Sequence, residues 1–180
     1  SFKVIIELIM PINYQSSDST NLDATDLRIL TALQANARIS NAELSALVNL
    51  SQTPCLRRLR KLEQSGLIEQ YTARLNHSML GIGVSAFVFI KLNKNTSSNA
   101  ASFEAAIGEF SEVLECCVLA GVHDYALRIV TKNLQTFESF LKGKLATVEQ
   151  VEDIESTIIL NQTMAHRSPK LIKSGGLTGF

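Results

Sequence analysis

The sequence predicts an α+β chain in two parts, a winged helix-turn-helix followed by a ferredoxin-like βαββαβ sandwich. Three observations carry that expectation. Between Asp23 and Gly66, apolar residues recur at helical spacing in three short runs, each with its own start signal. From Val84 onward, β-rich runs and helical runs follow one another as strand, helix, strand, strand, helix, strand. The texture changes between these two regions, across a linker over 76–83.

The first helix begins at Asp23, with Leu27, Leu30 and Leu33 on one stripe and a second acid, Asp26, in its first turn. Asn36 to Arg38 break it. Ser40, with Glu43 three residues on, has capping-box spacing, and Leu44, Leu47 and Val48 supply the apolar face of a short second helix. Asn49 and Leu50 form the turn. Ser51 is placed to cap a third helix in which Pro54 is tolerated near the start, Leu56, Leu59 and Leu62 recur at helical spacing, and Gly66 is the stop. Leu67 to Leu75 read as extended, with Ile68, Tyr71 and Leu75 apolar among polar neighbours, which is where a wing would sit.

In the second half, Val84–Leu92 is the first strand. Ser98–Phe110 is helical, with Phe103, Ile107 and Phe110 on one face. Val113–Ala120 is the second strand, Gly121 marks a tight turn, and Tyr125–Thr131 is the third strand. A helix over Leu134–Leu145 carries Phe137 and Leu141, and Val151–Leu160 alternates as a fourth strand.

Composition narrows the class. The 180 residues are 46% hydrophobic and 19% charged, enough apolar material for packed cores, and the formal charge is +0. A pI near 6.8 excludes a strongly basic protein that coats nucleic acid, so any DNA contact must come from a local cluster. Cys55, Cys116 and Cys117 make neither a disulfide framework nor a metal knuckle, which points to a reducing cytoplasm. The paired cysteines read as inert residues of an apolar strand. His77, His123 and His166 lack metal-site spacing, so no metal is expected. The apolar run Val4–Met10 is far shorter than the roughly 20 residues that span a bilayer, and no cleavage site follows it, so neither membrane insertion nor secretion is expected.

The third helix carries the chemistry. At about 100° per residue its leucines lie on one side, while Thr53, Arg57, Arg60 and Lys61 project from the other and Arg58 sits at the edge. In a helix-turn-helix this second helix of the motif enters the major groove, where its N-terminal residues reach base edges and nearby cations hold phosphates. Ser51, Gln52 and Thr53 occupy that end, and Arg74 in the wing adds a further phosphate contact. On this reading, Arg57→Ala or Arg58→Ala weakens DNA binding and spares oligomerisation.

The runs LDATDLRILTALQANARIS and NAELSALVNLSQTPCLRRLRKLEQSGLIEQYTARLN strongly resemble the Lrp/AsnC family, the leucine-responsive and asparagine-operon regulators. ECCVLAGVHDY matches independently in the second half, and the likeness covers roughly Leu22 to Pro169. The resemblance implies a bacterial, cytoplasmic and nucleoid-associated transcription factor that binds double-stranded DNA. It also implies a C-terminal domain that dimerises through its sheets, with a dimer or tetramer of dimers as the assembly, and that often senses amino acids. The expected divisions are then a disordered or appended segment over 1–20, a DNA-binding domain over 21–75, the linker, an effector-binding and oligomerisation domain over 84–170, and a tail over 171–180. The ends 1–9 and 175–180 are expected to stand outside both domains.

The family's effector turn falls on Gly121, Val122, His123, Asp124 and Tyr125. Asp124 can accept hydrogen bonds from an α-ammonium, and turn N–H groups can hold a carboxylate, so Asp124→Ala is expected to abolish an amino-acid effect. The chain departs from many relatives at Val122 and His123, which leaves the ligand open, and His123 adds a pH-sensitive group. A plain β-turn, with Asp124 stabilising the loop and Tyr125 packed in the sheet, is the other reading of these residues. Two further functions stay open: an enzyme like the haem-biosynthesis decarboxylases that resemble this family, and an effector-blind architectural DNA-binding protein. The basic third helix argues against the enzyme. No catalytic residue and no cofactor other than an amino-acid effector is expected.

Overall fold

Three helices follow one another from Ala24 in a computed structural model that describes residues 22–164 and Leu171. Segment 1–20, His166 and the tail apart from Leu171 lie outside the described residues. Asp23 accepts hydrogen bonds from the N–H groups of Thr25 and Asp26, and Asp26 accepts from the Asp23 N–H, which starts α1 (Ala24–Ala35). Ser40 and Glu43 form the same reciprocal box at α2 (Asn41–Leu47). Asn49 takes a left-handed backbone at φ 57°, which asparagine tolerates better than most residues, and α3 (Gln52–Gln64) follows. Ser51 stands at the N-cap of α3, yet its hydroxyl makes no capping hydrogen bond, so it caps by position only. Gly66, at φ 75°, supplies the left-handed residue just beyond the helix end.

Ile29, Leu30, Leu44, Val48, Cys55 and Leu62 close the core of these helices. Several expected core positions shift. In α2 the buried side is centred on Leu44, Ser45 and Val48, so Leu47 points roughly 110° away and is 63% exposed. In α3, Cys55, Leu59 and Leu62 share the line that faces the core, and Leu56 lies one step off it. Ile29 is fully buried, whereas Leu27 is only partly so. Leu171 also packs on this core.

Leu67–Leu75 follows without helix or paired strand. Among the described residues the run has no second stretch with which to exchange strand hydrogen bonds, and it attaches through side chains. Ile68 packs on the helical core, and the Tyr71 hydroxyl donates to Glu63 at 2.9 Å. Desolvation, followed by the neighbouring Glu63, pushes the Tyr71 phenol up to about 12, so it remains a donor at neutral pH.

The chain divides into two compact units between Arg74 and Leu75. In the second unit, β1 (Val84–Leu92), α4 (Ser97–Gly108), β2 (Val113–Val118), β3 (Tyr125–Thr131), α5 (Leu134–Gly143) and β4 (Val151–Ile158) appear in the expected order. The strands pair antiparallel as β2-β3-β1-β4, the ferredoxin-like arrangement. Alternation along β1 sends Val84, Ala86, Val88, Ile90 and Leu92 into the core and leaves Ser85, Phe87, Phe89 and Lys91 on the opposite face. Phe103 and Ile107 of α4 and Phe137 and Phe140 of α5 cover the first face. Phe140 is buried beside the expected Phe137, and Leu141, also expected, packs at the margin of the core. The expected linker holds a short 3₁₀ turn at Ser78–Leu80, after which Gly83 donates to the carbonyls of Thr131 and Lys132.

At Gly83 the two chain segments approach so closely that a Cβ would stand 2.6 Å from the Lys132 carbonyl oxygen. That oxygen belongs to backbone and cannot swing aside. Gly83→Ala is therefore expected to cost about 1–3 kcal/mol by forcing the start of β1 away from the end of β3. Chemical denaturation checks this, and an unchanged midpoint would contradict the close approach.

Candidate nucleic-acid interface and effector loop

The helical unit builds its outer surface from the side of α3 that the core does not use. Relative to buried Cys55, the side chains of Thr53, Arg57 and Arg60 project roughly 140–200° away, and all three are exposed. Lys61 is exposed beside them, as are Ser51 and Gln52 at the uncapped first turn. None of Arg57, Arg60 and Lys61 forms an ion pair with another described residue. Three uncommitted cations beside open helix N–H groups form a surface suited to a polyanion. Arg74 is exposed and lies outside the helix.

Arg58 is placed differently from its basic neighbours. Its Nη1 donates to Asp23 Oδ2 and, at 2.9 Å, to Asp26 Oδ1, so the guanidinium faces α1. The Asp26 N–H and the Arg58 cation hold the Asp23 carboxyl below its ordinary value of 3.8, although partial desolvation opposes them. Asp23 therefore stays ionised at neutral pH. Its share of the stability is present above that ordinary value and is lost as pH falls through the lowered one. No short-range spacing in the sequence marks this pair, since the partners are 32 and 35 residues apart.

In the second unit, the expected effector turn divides into parts with different surroundings. Val122 is 85% exposed at the tip. His123 folds onto the uncovered face of the sheet, with Nε2 3.1 Å from Glu155 Oε2 and its ring centroid 5.3 Å from that of Phe89. Asp124 faces inward along the strand ends: Oδ2 accepts from the Leu92 N–H at 2.8 Å and Oδ1 from Asn95 Nδ2 at 3.2 Å. Its backbone is also engaged, donating to Ile90 and accepting from Leu119. A Cβ at Gly121 would meet nothing within 4 Å, so the turn is open on that side.

Tyr125 is buried on the helix side, where its ring packs on Phe103 and its hydroxyl donates to Glu104 Oε1 at 2.7 Å. Desolvation and the Glu104 carboxylate together push the Tyr125 phenol well up, so it stays protonated. Beside this pair a cavity of about 460 Å³ opens between α4 and β2, bordered by Glu104, Ile107, Val113, Cys116, Val118 and Tyr125. Largely apolar walls with the carboxylates of Glu104 and Glu115 in the lining suit a small amphipathic molecule bearing a cation. Sequence patterns point to neither the cavity nor the Glu104–Tyr125 pair, because β2 and α4 meet only through the fold. Cys116 and Cys117 keep solvent contact instead of lying in a closed strand, but desolvation raises both thiols, Cys116 to about 11. Neither is an activated nucleophile. No group of three or more His, Cys, Asp or Glu among the described residues is arranged to hold a metal ion, and no described helix is long and apolar enough to cross a membrane.

Comparison with known proteins places both surfaces in one context. Residues 22–69 match a winged helix-turn-helix DNA-binding model, and residues 85–169 match the Lrp/AsnC ligand binding domain. The leucine-responsive regulatory protein of Rhizobium meliloti is 38% identical over 141 residues, which cover 78% of this chain and 90% of that protein. The chain belongs to the Lrp/AsnC family. A second relative, the Bkd operon transcriptional regulator of Pseudomonas aeruginosa, is 39% identical over 150 residues, covering 83% and 98% of the two chains. Among solved structures, a transcriptional regulator of Neisseria meningitidis in complex with L-Met aligns with a TM-score of 0.78 at 35% identity, over 85% of this chain and 97% of that one. The protein is thus an Lrp/AsnC transcriptional regulator, with a helix-turn-helix DNA-binding domain ahead of an antiparallel α+β ligand-binding domain.

Proposed function

We propose that this regulator binds specific sequences in double-stranded DNA as a homo-oligomer and changes that binding when an amino acid occupies its second domain. The exposed, unpaired row Arg57, Arg60 and Lys61, behind an uncapped N-terminal turn bearing Ser51, Gln52 and Thr53, carries the DNA half of the reading. Arg74 adds a phosphate contact from outside the helix. Oligomerisation uses the uncovered sheet face, where Phe87 is 38% exposed and the Arg128 guanidinium lies 5.4 Å from its ring centroid. Two linked helix-turn-helix modules then reach two half-sites, which turns modest contacts per module into useful affinity. A cytoplasmic, nucleoid-associated location accompanies this activity.

For the effector, the L-Met bound by the Neisseria relative supports the amino-acid class. The ligand lies in the cavity beside Tyr125, the residue of the turn that lines it, with its apolar side chain against Ile107, Val113 and Val118. Glu104 takes the α-ammonium, and turn N–H groups near Gly121 and Val122 take the carboxylate. Asp124, with both carboxylate oxygens already accepting, shapes the loop, and His123 ties it to β4.

The deciding experiment is a mobility-shift titration on the DNA upstream of this protein's own gene, at two salt concentrations, with and without a panel of amino acids. Saturable, salt-sensitive binding altered by one amino acid is the expected result. Binding that ignores every amino acid would favour an effector-blind architectural protein, and no binding under any condition would move the reading to an enzyme. Calorimetry then assigns the ammonium. Glu104→Gln is expected to weaken the active amino acid by about tenfold or more, whereas Asp124→Asn, which keeps an acceptor for the Leu92 N–H, is expected to change it little. The reverse pattern would return the ammonium to Asp124.

A further inference from the structure

One guanidinium joins the DNA-facing helix to the start of α1. We propose that Arg58, Asp23 and Asp26 form a clamp that sets the rotation of α3 for base readout, and that Arg58 is a positioning residue, not a DNA contact. The proposal rests on the DNA-binding reading above.

Geometry separates Arg58 from the other cations. It lies about 60° from Cys55 around the helix, at the flank of the buried line, whereas Arg57 and Arg60 lie on the far side. Asp26 is only 13% exposed at its side chain, and Arg58 is 34% exposed. A phosphate approaching Arg58 would meet two carboxylates around one cation, a local excess of negative charge that repels it.

The clamp supplies what the core beneath α3 cannot. Cys55, Leu59 and Leu62 bury apolar surface, and apolar burial is non-directional, so it resists lifting of the helix more than rolling. A roll of about 20° would carry groups at the outer surface of a helix through roughly 2 Å, more than a base-edge hydrogen bond tolerates. Directional bonds at two points oppose the roll. Arg58 bridges to α1 midway along α3, and Asn41 Nδ2 of α2 donates to the Gln52 carbonyl at 3.2 Å at its beginning. Asp23 and Asp26 are themselves locked by the capping box, so the anchor on α1 is rigid.

Removing a carboxylate distinguishes the two roles by sign. Asp26→Asn keeps an oxygen for the Asp23 N–H but deletes the charge that holds Arg58. If Arg58 touched phosphate, freeing it would leave DNA affinity unchanged or raise it. The clamp predicts the opposite. Asp26→Asn and Arg58→Gln should each weaken binding to the protein's own upstream DNA by about tenfold, the size of one misplaced base contact. The double variant should be no worse than either single one. Affinity for a scrambled duplex should move less than twofold, and the slope of log K against log salt should keep its wild-type value, because every phosphate stays neutralised as before.

Binding is measured on the full chain, well below each variant's thermal unfolding midpoint, so that loss of fold is not mistaken for loss of position. Tighter or unchanged binding by Asp26→Asn, or a shallower salt slope in Arg58→Gln, would overturn the proposal and restore Arg58 as a DNA contact. Lower midpoints with wild-type affinity and specificity would overturn it in favour of a purely stabilising bridge. Wild-type protein that retards neither duplex would instead sink the DNA-binding reading, and the positioning role with it.

Discussion

Replacing Arg57 and Arg60 together by alanine is expected to weaken DNA binding by at least about thirtyfold at low salt, from a loss of roughly 1 kcal/mol or more at each site. Both side chains project from the exposed side of α3, and neither has a carboxylate partner among the described residues, so their charge is uncommitted until a polyanion arrives. Every phosphate left without its cation should also lower the slope of log K against log salt by about 0.9, so the slope of the double variant should fall by nearly 2 if both side chains reach the backbone. A smaller slope change with a larger loss on the specific duplex would assign one of them to a base edge. Because neither helps close the core, the stability should stay within about 0.5 kcal/mol of wild type. Unaltered affinity would remove α3 from the interface altogether.

The largest stability effect is expected from Phe103→Ala, at about 3–5 kcal/mol. Phe103 is fully buried at the centre of the second unit's core, with its ring centroid 4.7 Å from that of Tyr125. Truncation leaves a cavity under the sheet and removes the surface on which Tyr125 packs, so the Tyr125–Glu104 hydrogen bond should loosen as well. Denaturant unfolding followed by circular dichroism checks the cost. The chain carries no tryptophan, and two units can melt in separate steps, so the transition to follow is the one that Phe103→Ala moves. A shift below about 1 kcal/mol would mean that the site collapses around the missing ring.

The candidate sites were legible to different depths. The cap at Asp23, the Ser40–Glu43 box, the stop at Gly66 and the bounds of β1 and β3 all follow from residues adjacent in the chain, and the structure has them where the patterns put them. Helical phase is less legible in the sequence. Leucines drew the stripe of α3 to Leu56, yet the smaller Cys55 occupies the fully buried position, because the direction of the core is set by α1 and α2 and not by α3 alone. Leu47 faces outward for the same reason. The region read as a wing has no pairing partner among the described residues, which a single extended run cannot reveal about itself.

Local signals within a few residues of one another were sufficient for element type and order, since capping, turn chemistry and periodicity act over short chain distances, while the family came from the likeness of longer runs such as SQTPCLRRLRKLE and ECCVLAGVHDY. Periodicity and charge also singled out α3 as a candidate, whereas the turn Gly121–Tyr125 was a candidate only through the family resemblance. The fold alone distributes the roles inside those segments. It ties Arg58 to acids 32 and 35 residues away, occupies Asp124 with Leu92 and Asn95, and sets Tyr125 against Glu104 at the mouth of a cavity. A charge in the sequence is only a capacity to bind. Which partner takes it depends on what folding brings within about 3 Å, and that distance is not written in linear order.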